Sequence, residues 1–284
     1  MGRQLGGTAS GVDAVTVNRI FHDHECHYYD ERFAIVHDAA SARRALREVE
    51  TLLGQPLPQA ARVLDVGCGT GWFAAGLHRV RPDLTVIGAD LSVGMLGRAR
   101  EAGAWPLMQG DVGELPVAAG SVDVLVARGV LHHLPDVGAA LRSWRRALAP
   151  GGAVVLSSEP TPAADRHALR LVRILLPLLR RPLSGEEDFW EVASMAANLH
   201  VFTVPALREL AVGAGFESVE LRTADWLSTL VLTASYVTHG RRPALARRVR
   251  WRRLESAAAT VDGRLLDRLL PPGLRHTIVG ALRP

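Results

Sequence analysis

The chain has 284 residues, with 33 basic side chains against 29 acidic ones for a formal net charge of +4, and every basic side chain other than histidine is arginine. That length buries a sizeable core and excludes a staple-held mini-protein, while 48% apolar and 22% charged residues exclude a disordered or collagen-like chain. The lysine-free composition points to a GC-rich coding sequence in which arginine stands where another lineage uses lysine, so the positive balance is not by itself a signal for nucleic acid.

Cys26 and Cys68 form neither a C-x-x-C pair nor a disulfide framework, and the start MGRQLGGTASGVD lacks the apolar core of a signal peptide. A cytoplasmic setting is expected. The greasiest stretch, 168–179, is interrupted by Arg170, Arg173 and Pro177 and cannot supply the roughly 20 apolar residues of a membrane span.

In chain order, residues 1–60 read as an N-terminal helical cap: a polar start, a His- and Tyr-rich stretch, and a helical run over 39–53 that stops at Gly54, Pro56 and Pro58. Residues 61–284 read as one α/β domain. The apolar runs RVLDVG, TVIGAD, VDVLVA and AVVLSS alternate with the helical runs WFAAGLHRV, VGMLGRAREA and VGAALRSWRRAL, the signature of right-handed βαβ crossovers and a mostly parallel sheet. An insertion at 163–200 reads as two helical segments around a polar turn at 182–185. It follows the strand that finishes near Glu159, where a lid would cover a ligand at the carboxyl ends of the strands. A helix over 205–213, a strand over 216–222, an arginine-rich helical zone over 243–270 and a last strand over 275–282 complete the chain.

The most informative residues are Val63-Leu64-Asp65-Val66-Gly67-Cys68-Gly69-Thr70-Gly71. An apolar strand running into three alternate glycines makes a tight turn that a ligand can approach closely, with a helix N-terminus behind it. The spacing is neither that of the dinucleotide fingerprint, which needs Gly at Trp72, nor that of the phosphate loop, which needs Lys before Ser or Thr. Acids punctuate the neighbouring strand ends instead. Asp90 in VIGADLS suits a ribose diol, since a carboxylate accepts from both hydroxyls, and Asp111 in MQGD can accept from a purine amine or cap a helix.

The runs LDVGCGTG, ADLS, MQGD, VDVLVARGVLHHLPD and LAPGG, in this order over about 62–159, resemble the successive motifs of class I S-adenosylmethionine-dependent methyltransferases, in the UbiE-like branch that acts on small molecules. The resemblance implies a Rossmann-like seven-stranded sheet, mostly parallel with the last strand antiparallel and helices on both faces. It also implies S-adenosyl-L-methionine as cofactor and S-adenosyl-L-homocysteine as product. By the same resemblance the cofactor is bordered by Asp65, Gly67, Cys68, Gly69 and Gly71, by Asp90, Leu91 and Met95, by Asp111 and Val112, and by Arg128.

The stretch Ala127 to Leu134 lacks the Asn/Asp-Pro-Pro-aromatic run of amino methylators and the acid of the metal-dependent catechol type, and it resembles instead the branch of the family that methylates small oxygen or carbon nucleophiles. His133, His132 and Glu159 are the candidate bases, set against a mere packing role for the His pair and a pocket-wall hydrogen-bonding role for Glu159. The run from Phe21 to Asp30 matches no standard metal-ligand spacing, so no metal is expected. Tyr28 and Tyr29 are read as lid aromatics, with His24 and His27 beside them on the lid, and Trp190 and His200 as continuing an apolar substrate pocket. A lipophilic acceptor in bacterial secondary metabolism fits this pattern. Two rivals are a non-methylating cyclisation or decarboxylation on the same fold, and an RNA-binding methyltransferase using the seven arginines of 241–253. For that segment a solvated face with Leu245, Val249 and Trp251 turned inward is preferred. A homodimer is compatible with the sequence.

Overall fold

The computed structural model describes residues 13–178 and 198–284. Three helices come first, α1 (Ala14–Glu25), α2 (Tyr29–Arg32) and α3 (Ala39–Leu53). The Asp13 and Asp38 carboxylates accept from the backbone N–H groups of Thr16 and Ser41, which fixes where α1 and α3 begin. Then β1 (Arg62–Val66), α4 (Trp72–Val80), β2 (Thr85–Asp90), α5 (Val93–Ala102), β3 (Leu107–Gln109), β4 (Val122–Arg128), α6 (Val137–Ala147) and β5 (Leu148–Pro160) alternate as the apolar pattern requires. The remainder is α7 (Pro162–Leu178), α8 (Val204–Gly213), β6 (Ser218–Ala224), α9 (Leu227–Arg241), α10 (Pro243–Ala246), α11 (Trp251–Val261) and β7 (Thr277–Arg283).

The seven strands form one sheet in the order β3-β2-β1-β4-β5-β7-β6. β1, β2, β3, β4 and β5 pair in parallel, and β7 runs antiparallel to both β5 and β6. The order reverses between β1 and β4, and a crevice opens there at the carboxyl ends of the strands. Alternation along β1 sends Leu64 and Val66 to one face, where they pack with Leu125, Leu141, Trp144 and Phe216. Val63 faces the other side, among Val49, Phe73, Leu77 and Val124. The helix over 39–53, placed with the cap by its sequence position, thus lies in the same layer as α4 and contributes Ala45, Val49 and Leu53 to the core.

Three segments differ from the sequence reading. α9 was not foreseen, because Thr229, Val231, Thr233, Val237 and Thr238 are β-branched and no single apolar stripe marks its face. It forms because the buried Asp262 carboxylate accepts from Leu227 N–H, Ser228 N–H and Ser228 Oγ at its start. The continuous helical zone expected over 243–270 is broken after Ala246 and contains a π-helical turn at Asp262–Leu266. Leu245, expected inward, is 47% exposed. Of the expected lid insertion, α7 supplies the first half, and 179–197 fall outside the described residues.

α7 is latched to β7 and its approach by a pair of imidazoles, His167 Nδ1 lying 2.7 Å from His276 Nε2. Only one proton fits between them, and His276 is fully buried with no partner at Nδ1. Burial, reinforced by His167, pushes His276 down to about 4. Between pH 4 and 6.5 the unfolded chain therefore binds a proton that the folded chain refuses, so this site makes stability fall as pH drops through that window. The loss of stability from pH 8 to pH 5, measured by urea unfolding, is expected to be about 2 kcal/mol smaller in His276→Phe than in the parent protein.

Candidate active site

The turn after β1 is built on left-handed glycines, φ +65° at Gly67 and +76° at Gly71. A Cβ at Gly67 would meet the Val130 side chain at 2.6 Å, and one at Gly71 would meet the Trp105 ring at the same distance. Gly69 points its N–H at the end of β2, donating to Asp90 Oδ2 at 2.8 Å, while Ser92 N–H donates to Asp90 Oδ1 at 2.9 Å. One buried carboxylate thus joins the glycine turn to the start of α5. Burial raises the Asp90 pKa, and the N–H groups of Ser92 and Gly69 oppose that rise. Each carboxylate oxygen has two acceptor sites, so Asp90, which lines the crevice, keeps acceptor capacity beyond these two bonds.

The crevice holds about 700 Å³ of space, part of it open to solvent. Its sheet side is made by Gly67, Gly69, Asp90, Leu91, Met95, Asp111, Val112 and Arg128, all of them singled out in the sequence. Asp111 Oδ1 accepts from Gly113 N–H at 2.8 Å in a local turn and caps no helix. Arg128 shares Glu48 Oε2 through both terminal nitrogens at 3.1 Å and lies over the Trp72 ring.

The opposite side is the N-terminal lid. Val15, Asn18 and His22 line the crevice from one face of α1, and Tyr29 does so from α2. Three polar ties dock it. Asp23 Oδ1 accepts from Ser92 Oγ at 2.6 Å and Gly94 N–H at 2.9 Å; Asp30 Oδ1 accepts from Thr70 Oγ1 at 2.6 Å; Asn18 Nδ2 donates to the His133 carbonyl at 2.9 Å. Burial pushes the Tyr29 phenol above its usual range.

His133 lines the crevice at a 3-10 turn, Leu131–His133, with its ring edge-on to His22 at 5.0 Å between centroids. Glu159 holds that turn from below. Its Oε1 accepts from Val130 and Leu131 N–H at 2.8 and 2.9 Å, and its Oε2 lies 3.2 Å from His132 N and 3.0 Å from His132 Nδ1. Glu159 is fully buried and spends all four acceptor sites on its own chain, and His132 is bound to it. Neither lines the crevice, whereas His133, the third candidate base, does.

Other expected residues also lie elsewhere. Asp65 is buried among the core side chains facing α3 and α4, where burial pushes it up to about 7. Cys68 and Gly71 pack away from the crevice, and burial pushes the Cys68 thiol up. Tyr28 is 51% exposed under the Arg32 guanidinium. His24 and His27 do not line the crevice, and neither does His200, whose Nε2 contacts the Leu134 carbonyl at 3.0 Å. Trp190 lies outside the described residues. The sequence reading missed Val15, Asn18 and His22 as wall residues, although their 3- and 4-residue spacing behind the Asp13 cap puts them on one helical face.

A protein-family model described as a methyltransferase domain matches residues 35–221. The chain belongs to the class I methyltransferase-domain family. This methyltransferase-domain chain is 30% identical over 242 residues to a malonyl-[acyl-carrier protein] O-methyltransferase of Dechloromonas aromatica, covering 80% of this chain and 83% of that one. It is also 30% identical over 174 residues to the ubiquinone/menaquinone biosynthesis C-methyltransferase UbiE of Desulfotalea psychrophila, covering 58% and 69%. Two other malonyl-[acyl-carrier protein] O-methyltransferases are spanned over only 36% and 48% of their own length. The fold is shared with a Haemonchus contortus phosphoethanolamine N-methyltransferase solved with S-adenosyl-L-methionine, at TM-score 0.58 and 18% identity, covering 96% of this chain and 61% of that one. The family's cofactor is S-adenosylmethionine. Asp90→Ala is expected to weaken its binding at least tenfold by titration calorimetry; unchanged affinity would remove Asp90 from the site.

Proposed function

We propose that this methyltransferase-domain chain transfers a methyl group to an oxygen or carbon nucleophile of a lipophilic small molecule, in bacterial secondary metabolism. The observation that carries the reading is His133, presented to the crevice by the Glu159-held turn and faced by His22, in a wall that also holds Val15, Asn18, Tyr29, Leu134 and Pro135.

The crevice fits the cofactor. Asp90 is a buried carboxylate with acceptor capacity beyond its bonds to Gly69 and Ser92, which suits a ribose diol, and the surface at Gly69 is open, a Cβ there meeting nothing nearer than Tyr29 at 4.0 Å. Asp111 and Val112 would take the adenine end, and Gly67 and Gly69 the methionine end. When bound, S-adenosylmethionine supplies an electrophilic methyl on a cationic sulfur.

The chain's own part is positioning and one proton transfer. Val15, Leu134 and Pro135 favour a lipophilic body on the acceptor. His133 takes the proton from an acceptor hydroxyl or enol as the oxygen or carbon gains its new bond, and the imidazolium later returns the proton to solvent. Glu159 acts only through the turn, by fixing the backbone that carries His133. The lid ties of Asp23, Asp30 and Asn18 keep His22 and Tyr29 over the reacting groups.

Incubation with lipophilic phenols and 1,3-dicarbonyl compounds is expected to yield S-adenosylhomocysteine in stoichiometry with methylated product. His133→Ala is expected to lower kcat about 100-fold while leaving cofactor affinity within twofold. Unchanged kcat would leave proximity as the mechanism, and conversion without S-adenosylhomocysteine would mark a non-methylating enzyme.

A further inference from the structure

The basic segment that the sequence singled out does not line the crevice, and a distinct surface begins at its end, with Arg253. Of the thirteen exposed large apolar side chains among the described residues, six fall between residues 245 and 274. Four of them, Leu254, Val261, Leu265 and Leu269, follow at intervals of seven, four and four residues along α11, the π-helical turn and the last turn Asp267–Leu269. That spacing keeps them on one side of a helical run of roughly 22 Å. Leu254, Leu265 and Leu269 are 48%, 50% and 68% exposed, and each is preceded by an exposed arginine, Arg253, Arg264 and Arg268.

The acids of this region face inward. Asp262 is buried against the start of α9, Asp267 Oδ1 accepts from Asp225 N–H at 2.9 Å, and Glu255 is half-buried with its carboxyl pushed up by burial. What faces outward is a leucine stripe flanked by cationic side chains.

We infer that this face docks on an anionic phospholipid bilayer, lying in the interface with its leucines in the acyl boundary and its arginines on the headgroup phosphates. Both halves of the pattern are used there: buried apolar area supplies one part of the attraction and anionic charge the other. A nucleic acid would use only the arginines and leave the leucines in water. It would also want exposed aromatic rings for stacking, whereas Trp251 is half-buried with Nε1 donating to the Ala246 carbonyl. The face also bears on the crevice. α11 packs on α9, and α9 holds α2 through Tyr236, which stands against Phe33 and Arg32, so the bilayer face lies one helix from the lid that carries Tyr29.

The test is sedimentation of the full chain with unilamellar vesicles at 0.1 M salt. Binding to equal parts phosphatidylglycerol and phosphatidylcholine is expected to exceed binding to phosphatidylcholine alone at least tenfold. The triple variant R253Q/R264Q/R268Q is expected to lower the partition coefficient about 100-fold. L265D/L269D is expected to lower it at least tenfold, and S-adenosylmethionine affinity within twofold of the parent shows that both variants are folded. Three results would overturn the proposal: equal binding to both vesicle types, unchanged binding by either variant, or binding to a single-stranded 20-mer RNA that R253Q/R264Q/R268Q abolishes and L265D/L269D leaves intact.

Discussion

A carboxylate with two backbone N–H groups on it holds the crevice together. Asp90 closes β2, and by accepting from Gly69 it pulls the glycine turn of β1 against the neighbouring strand end, while by accepting from Ser92 it starts α5 in the same place. The same carboxylate is buried, so its charge is costly unless donors surround it, and its bonds to Gly69 and Ser92 do not exhaust what it can accept. A ligand with hydroxyl donors would complete the set. The site is thus defined by a polar group that the fold has buried and left partly satisfied.

The other polar ties radiate from that junction. Ser92, whose N–H is on Asp90, uses its hydroxyl to donate to Asp23 of α1 and to accept from Met95 N–H, so the lid is bound to the very residues that shape the crevice floor. Thr70, within the glycine turn, donates to Asp30. Across the crevice, Glu159 does for the His133 turn what Asp90 does for the glycine turn, gathering backbone N–H groups on one buried carboxylate. The difference is that Glu159 is saturated and Asp90 is not. That contrast separates the roles of the two acids, one at the end of β2 and one near the end of β5.

Much of this was legible in the sequence wherever a physical constraint leaves a local mark. Strand alternation, the three glycines and the acids after β2 and β3 gave the sheet, the crevice floor and Asp90, because each needs a particular residue type at a particular place. Roles decided by long-range pairing left no such mark. Glu159 reads as a plausible base until its four bonds to residues 27 to 29 positions away are seen, and that Asp65 is buried and outside the crevice lining depends on how β1 is packed. His22 was legible as one of a His-rich run; that it faces His133 depends on how α1 is docked by Asp23 and Asn18. α9 went unread because its β-branched composition argues for a strand, and its start is set by Asp262, 35 residues further on.

The chain therefore carries two surfaces with separate chemistry, a partly satisfied carboxylate at the strand switch and a leucine-arginine face one helix beyond the lid. The central claim rests on the first. A crystal structure of the chain with S-adenosylhomocysteine is its most direct test. The account predicts ribose hydroxyls on the Asp90 carboxylate with the Gly69 and Ser92 N–H bonds retained and His133 open to the remaining space. Ribose held elsewhere, or an Asp90 that must give up its N–H partners to bind it, would contradict the account.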